Sequence, residues 1–148
     1  MFKKLVHTNN DVAIMVIRIM LGLVFFPHGM QKLTTMFGGF GFTGTMGFFT
    51  AKLGIPAVFA FLAIMAEGIG WLGLVTGYLT RIAAFGIGVN MVVAIYLLHW
   101  QNGFFMNWYG NQKGEGFEYH LLVIAMVIAL IIKGGGALSI DKVLTDKA

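Results

Sequence analysis

Cysteine is absent from the chain. Its absence excludes disulfides, thiol redox chemistry, iron–sulfur ligation by this chain and Cys-ligated zinc. Charge is also scarce: 11% of the 148 residues are Asp, Glu, Lys or Arg, too few to cover a soluble domain of this size. The basic residues behind the net charge of +4 are scattered and mostly sit at the ends of apolar runs, so they are no footprint of nucleic-acid binding. Alternating segments of about ten residues, which a membrane barrel needs, are missing too. What remains is 58% hydrophobic, with a mean hydropathy of +0.84, twenty-one glycines and ten methionines. Lipid cannot satisfy an open sheet edge, so long unbroken apolar runs predict an all-α, polytopic membrane protein. The expected architecture is a four-helix transmembrane bundle forming one domain over residues 1–148. Glycine and methionine suit close helix packing in lipid.

Four spans are predicted, at about residues 12–33, 56–78, 82–100 and 117–132. Asn9 or Asn10 is placed to cap the first helix, with Asp11 in its first turn. No small-residue cleavage site follows the first apolar run, so it reads as a retained span rather than a signal peptide. Pro27, inside that span, frees the carbonyl of Leu23 and predicts a kink. Thr34 to Ile55 is Gly/Phe-rich. A short interfacial segment around Thr43 to Leu53 is expected there, with Met46, Phe49 and Leu53 toward lipid. Pro56 opens the second span. Trp108 and Tyr109 mark the loop after the third as interfacial. Gly134-Gly135-Gly136 stops the fourth.

Four spans put both termini on one side of the bilayer. Lys3, Lys4, Arg81, Lys133, Lys142 and Lys147 fall on that side, against Lys32, Lys52 and Lys113 on the other. The excess of basic residues predicts cytoplasmic termini and a bacterial inner membrane location.

Ionisable groups inside hydrocarbon need a partner or a purpose. Arg18 lies about 9 Å from the inner end of span one, and Glu67 about 16 Å from the inner end of span two, at 1.5 Å per residue. Glu67 shares a stripe of small residues with Ala63, Ala66, Gly70, Gly73 and Gly77, which turns it inward. Asn90 lies on the small-residue face of span three. Arg18, Glu67 and Asn90 are therefore expected to form a buried polar core, with Arg18 and Glu67 as an ion pair that sets helix register. A second layer is expected nearer the outer surface. His28 and Lys32 share a helix face, and His99, Glu118 and His120 come to the same height. The structural alternative for Lys32 and Glu118 is snorkelling with a surface ion pair. Three imidazoles and a carboxylate invite a zinc reading, but no His-x-x-x-His pair exists. Nothing in the spacing demands a bis-histidine haem.

The polar residues and glycines fall in a recognisable order. Arg18 is followed by His28-Gly29 and Lys32, and then by Glu67-Gly68 with Gly70, Gly73 and Gly77 ahead of Thr80-Arg81. Gly103-Phe104-Phe105 and Glu118-Tyr119 come next, with Gly134 and Gly136 before Ser139-Ile140-Asp141. Over nearly its whole length the chain resembles the DoxX family of small bacterial membrane proteins. The resemblance implies a four-helix membrane bundle and the neighbourhood of quinone-linked redox chemistry. The family's namesake relatives are subunits of a thiosulfate:quinone oxidoreductase, but no motif here defines thiosulfate as a substrate.

The reading that follows is a quinone-binding membrane subunit, or anchor, for a soluble oxidoreductase partner. His28, Lys32, His99, Glu118 and His120 would line the quinone pocket, with no metal and no covalent cofactor. Two rivals stand beside it. One is a small transporter or proton carrier built on the Arg18–Glu67 layer, in which homo-oligomers would offset the lack of an inverted repeat. The other is a non-catalytic scaffold for a soluble partner.

Overall fold

The computed structural model describes residues 2–147; Met1 and Ala148, the ends of the expected 1–148 domain, lie outside the described residues. The described residues are helical, with no strand among them. A short α1 (Phe2–Val6) precedes α2 (Val12–Leu33). Asp11 is the true N-cap of α2: its carboxylate accepts from the Ile14 N–H. The 22 residues of α2 make it about 33 Å long, enough to cross the ~30 Å hydrocarbon core. The helix runs uninterrupted through Pro27.

A break falls in the second span. It divides into α4 (Ala57–Gly68) and α5 (Gly70–Thr76), after the short α3 (Gly41–Gly47) that lies between spans. At the break the Leu72 N–H donates to the Ile69 carbonyl, one residue closer than an α-helix would use. The freed Gly68 carbonyl accepts instead from the Trp71 indole N–H at 2.9 Å. Gly29 of α2 packs against this point, where any side chain would overlap the backbone carbonyl of Glu67. Here α2 and the second span approach backbone to backbone.

Gly77 ends α5 in the left-handed conformation (φ 69°). The third span comprises α6 (Thr80–Ala94), a wide π-helical turn over Ile95–His99 and a tight turn over Trp100–Asn102. A fourth rod, α7 (Glu118–Lys133), packs on α6 and α2. A final α8 (Ile140–Asp146) folds back over the terminal end of the bundle, capped by the Ser139 hydroxyl. Among the described residues, three helices are long and apolar enough to cross a membrane: Val12–Leu33, Ala57–Thr76 and Thr80–Asn102. α7 has 16 residues, or about 24 Å.

The core runs down the bundle axis through Leu21, Phe25, Leu74, Ile87, Val123 and Leu130. The outer faces carry exposed apolar side chains such as Val16, Met20, Phe59, Phe85, Leu122 and Ile132, a surface that lipid can solvate and water cannot. One expectation for the segment between spans is corrected. Phe49 and Leu53 sit on and just after a π-helical turn over Phe48–Lys52, and both, half-buried, line a half-open cavity rather than a purely lipid-facing surface.

Candidate functional site

The polar residues of the interior collect at two ends of the bundle, not in the two layers their depths suggested. Arg18 belongs to the terminal end. It is fully buried, and its five N–H donors are all engaged by backbone carbonyls. Nε donates to Gly135 (2.7 Å), one terminal nitrogen to Leu74 and Val75 (2.6 and 2.7 Å), and the other to Ala137 and Leu138 (3.2 and 3.1 Å). The Leu74 and Val75 carbonyls close α5, where a helix presents unpaired oxygens and partial negative charge. Arg81 treats the end of α7 in the same way, donating to Ile131 and Ile132 as well as to Leu5 and His7. Asp141 is the acidic counterpart, accepting from the Leu79 and Thr80 N–H groups at the start of α6. This end is a hydrogen-bonded plug built from helix termini.

The expected Arg18–Glu67 pair does not form. Gly22 and Gly29 set the α2 register: Gly22 meets Leu74 and Val75, and Gly29 meets Glu67 and Trp71. Arg18 and Glu67 are therefore separated by more than two helical turns, beyond the reach of a guanidinium. Glu67 takes its partner from the other set. Lys32 Nζ donates to Glu67 Oε2 at 2.6 Å, and Asn90 Nδ2 donates to Glu67 Oε1 at 3.0 Å and to the Ala63 carbonyl at 2.8 Å. Lys32 sits three residues beyond Gly29, on the face that meets Glu67. Its side chain reaches inward rather than snorkelling outward.

This triad forms part of the wall of a cavity of about 480 Å³, bounded by α2, α4, α6, the Phe49–Ile55 segment, the loop after Asn102 and the start of α7. His28, Lys32, Glu67, Asn90, His99 and His120 all line it. His28 remains exposed, with its ring 5.9 Å from that of Phe25. The His99 and His120 rings lie 4.2 Å apart. His99 Nδ1 is 2.8 Å from the Glu115 carbonyl. A carbonyl only accepts, so Nδ1 carries the proton, and in the neutral ring Nε2 is left as an acceptor. His120 is buried, and its Nδ1 has no partner among the described residues. The buried hydroxyl of Tyr119, another wall residue, has none either. Buried polar atoms without partners mark a place where water or a ligand is expected.

Glu118 departs from the expected site. Its carboxylate accepts from the Met106 N–H (3.1 Å) and from the Trp108 indole (3.2 Å), holding the loop against α7. Helix phase explains why: two residues turn a helix by about 200°, so Glu118 and His120 cannot share a face. Sequence reasoning missed Tyr119, Glu115 and Met106 as wall residues. Helix phase alone does not choose Tyr119, which is turned about 100° from both Glu118 and His120, and no local signal marks Met106. Among the described residues no group of three or more His, Asp or Glu is placed to hold a metal ion.

The DoxX family model matches residues 13–100. The chain belongs to the DoxX family. The match covers the Lys32–Glu67–Asn90 triad with His28 and His99; Tyr119 and His120 lie beyond it. The inner membrane protein YqjF of Escherichia coli is 31% identical, aligned over 93% of this chain and 96% of its own length. The protein named "Putative oxidoreductase CatD" in Bacillus subtilis is 28% identical over 84% of this chain and 82% of its own. The membrane protein Rv3486 of Mycobacterium tuberculosis is 30% identical over 98% and 89%. No solved structure matches. Like YqjF and Rv3486, this DoxX-family chain is a membrane protein.

Proposed function

We propose that this DoxX-family protein is a quinone-binding membrane subunit or anchor of an oxidoreductase system, with the quinone head group seated in the cavity. The observation that carries the reading is the cavity wall. Apolar side chains from four helices surround a small set of convergent polar groups whose hydrogen-bonding capacity is partly unspent. The volume falls within the ~300–1,000 Å³ typical of small-molecule pockets. A quinone offers two carbonyl acceptors, and its reduced form offers two hydroxyl donors. Lys32 uses one of its three N–H donors on Glu67. With the Tyr119 hydroxyl it supplies donors to a carbonyl, while His99 Nε2 accepts from a hydroxyl. The name of the CatD relative is consistent with an oxidoreductase setting. The transporter alternative loses its proposed site, since Arg18 and Glu67 belong to separate networks.

Purification in mild detergent with mass spectrometry of bound lipids tests the reading. A co-purifying quinone supports it; a stoichiometric soluble enzyme without quinone favours the scaffold alternative. In a decylubiquinone titration followed by tryptophan quenching, Tyr119→Phe and His120→Phe are expected to weaken binding about tenfold each, the cost of one hydrogen bond. Glu118→Gln is expected to leave binding unchanged. Equal affinity in all variants removes the site.

We further propose that α7 is a fourth span and that both termini are cytoplasmic, in a bacterial inner membrane. At about 24 Å, α7 requires modest local thinning of the bilayer. A reporter fused to the C-terminus is expected to read as cytoplasmic, and one placed in the loop between Gly103 and Gly116 as external. The reverse pattern defeats the orientation.

A further inference from the structure

The groups that can carry a proton in the cavity are not randomly placed. Glu115 is exposed on the loop, and its carbonyl holds His99. The His99 ring lies beside that of His120, tilted by 43°, and His120 contacts Tyr119 with ring centroids 5.6 Å apart. The inner wall is the Lys32–Glu67 pair, with Glu67 94% buried. We infer that His99 and His120 form a proton path from the loop surface to Glu67, so that a proton arriving there releases Lys32 to the ligand. The inference rests on the cavity being a ligand site and names how that site is regulated.

Each step conserves the proton. Because the Glu115 carbonyl holds the proton on Nδ1, His99 has only Nε2 free to take up a proton from water and pass it on. His120 Nδ1 is buried with no hydrogen-bond partner among the described residues, so that nitrogen is free to exchange a proton. The cavity has room for the waters that complete the path to the Glu67 carboxylate. One proton taken up there turns the carboxylate into a neutral acid. The ion pair with Lys32 is lost, and the ammonium is left to donate to an acceptor in the cavity. The other titratable groups facing Glu67 are His28 and Lys32 from α2 and Tyr119 from α7; α6 contributes only the amide of Asn90. All of these line the same cavity, but His99 is the one held by the loop, and His120 lies beside it.

The test is a pH jump on the full-length protein in detergent micelles, without ligand. It is read by the infrared carboxyl band that Glu67→Gln removes. His99→Asn retains an amide N–H for the Glu115 carbonyl but cannot titrate, and His120→Gln removes the second carrier. Both are expected to slow protonation of Glu67 at least about tenfold, the scale of losing a proton-transfer group, without changing its final extent. Wild-type rates in both variants overturn the path. So does a Glu67 band that never appears while the protein stays folded, as judged by size-exclusion profile. Repeating the jump with decylubiquinone separates the two claims. Slowed exchange with no quinone binding leaves the path standing and the quinone reading fallen. Quinone binding with unslowed exchange has the opposite meaning.

Discussion

Arg18→Met is expected to prevent accumulation of folded protein. The side chain is fully buried, and its guanidinium satisfies carbonyls from the end of α5 and from the chain between Gly135 and Leu138. Each buried carbonyl left without a donor costs about 1–3 kcal/mol. Losing five bonds at once therefore approaches the 5–15 kcal/mol that typically holds a domain together. Arg18→Lys keeps the charge but offers three donors to five acceptors and lacks the planar fork. It is expected to fold with a markedly lowered thermal midpoint. Thermal unfolding in detergent, followed by fluorescence size exclusion, decides the matter. A Met variant as stable as wild type would show that the plug does not anchor the bundle.

Glu67→Leu is expected to be the most damaging change at the cavity. It leaves the Lys32 ammonium beside a low-dielectric wall and the Asn90 amide short of one acceptor. Breaking a fully buried pair costs about 3–5 kcal/mol, and the 21% exposure of the Lys32 side chain places the loss toward the lower end. Lys32→Met alone is expected to cost a similar amount, because the carboxylate is then stranded. The double variant is expected to recover part of the loss, since both uncompensated charges are gone. Arg18→Lys combined with Glu67→Leu is expected to be additive, because the two networks share no partner. Thermal midpoints of the single and double variants measure both couplings. Additivity between Lys32 and Glu67, or coupling between Arg18 and Glu67, would contradict the geometry.

These two residues show how far sequence carried the reading. Their burial was legible: both lie within apolar runs, and Glu67 lies on a stripe of small residues. Their partners were not. Depth counted along each helix placed Arg18 and Glu67 within reach of one another if the helices tilt. The observed register rests on Gly22 against Val75 and on Gly29 against Glu67. Helix phase was read correctly for His28 and Lys32 but was not applied to Glu118 and His120, so a residue that clamps a loop was assigned to the cavity.

By itself the sequence determined that the chain is helical, with apolar runs read as four spans of which three are helices long and apolar enough to cross a membrane, and that His28, Lys32, Glu67, Asn90, His99 and His120 stand where polar groups demand an explanation. It also carried the family resemblance, in the order of its charged residues and glycines. Hydropathy and helix period are properties of one helix at a time, and they are written in the order of residues. Only the tertiary structure decided which charges meet. That outcome depends on where two backbones can touch, as at Gly29, and on which helix ends leave carbonyls unpaired, as at Leu74 and Val75. Arg18 went to the carbonyls and Lys32 to Glu67 because a buried donor goes to the acceptor that packing brings within hydrogen-bond distance.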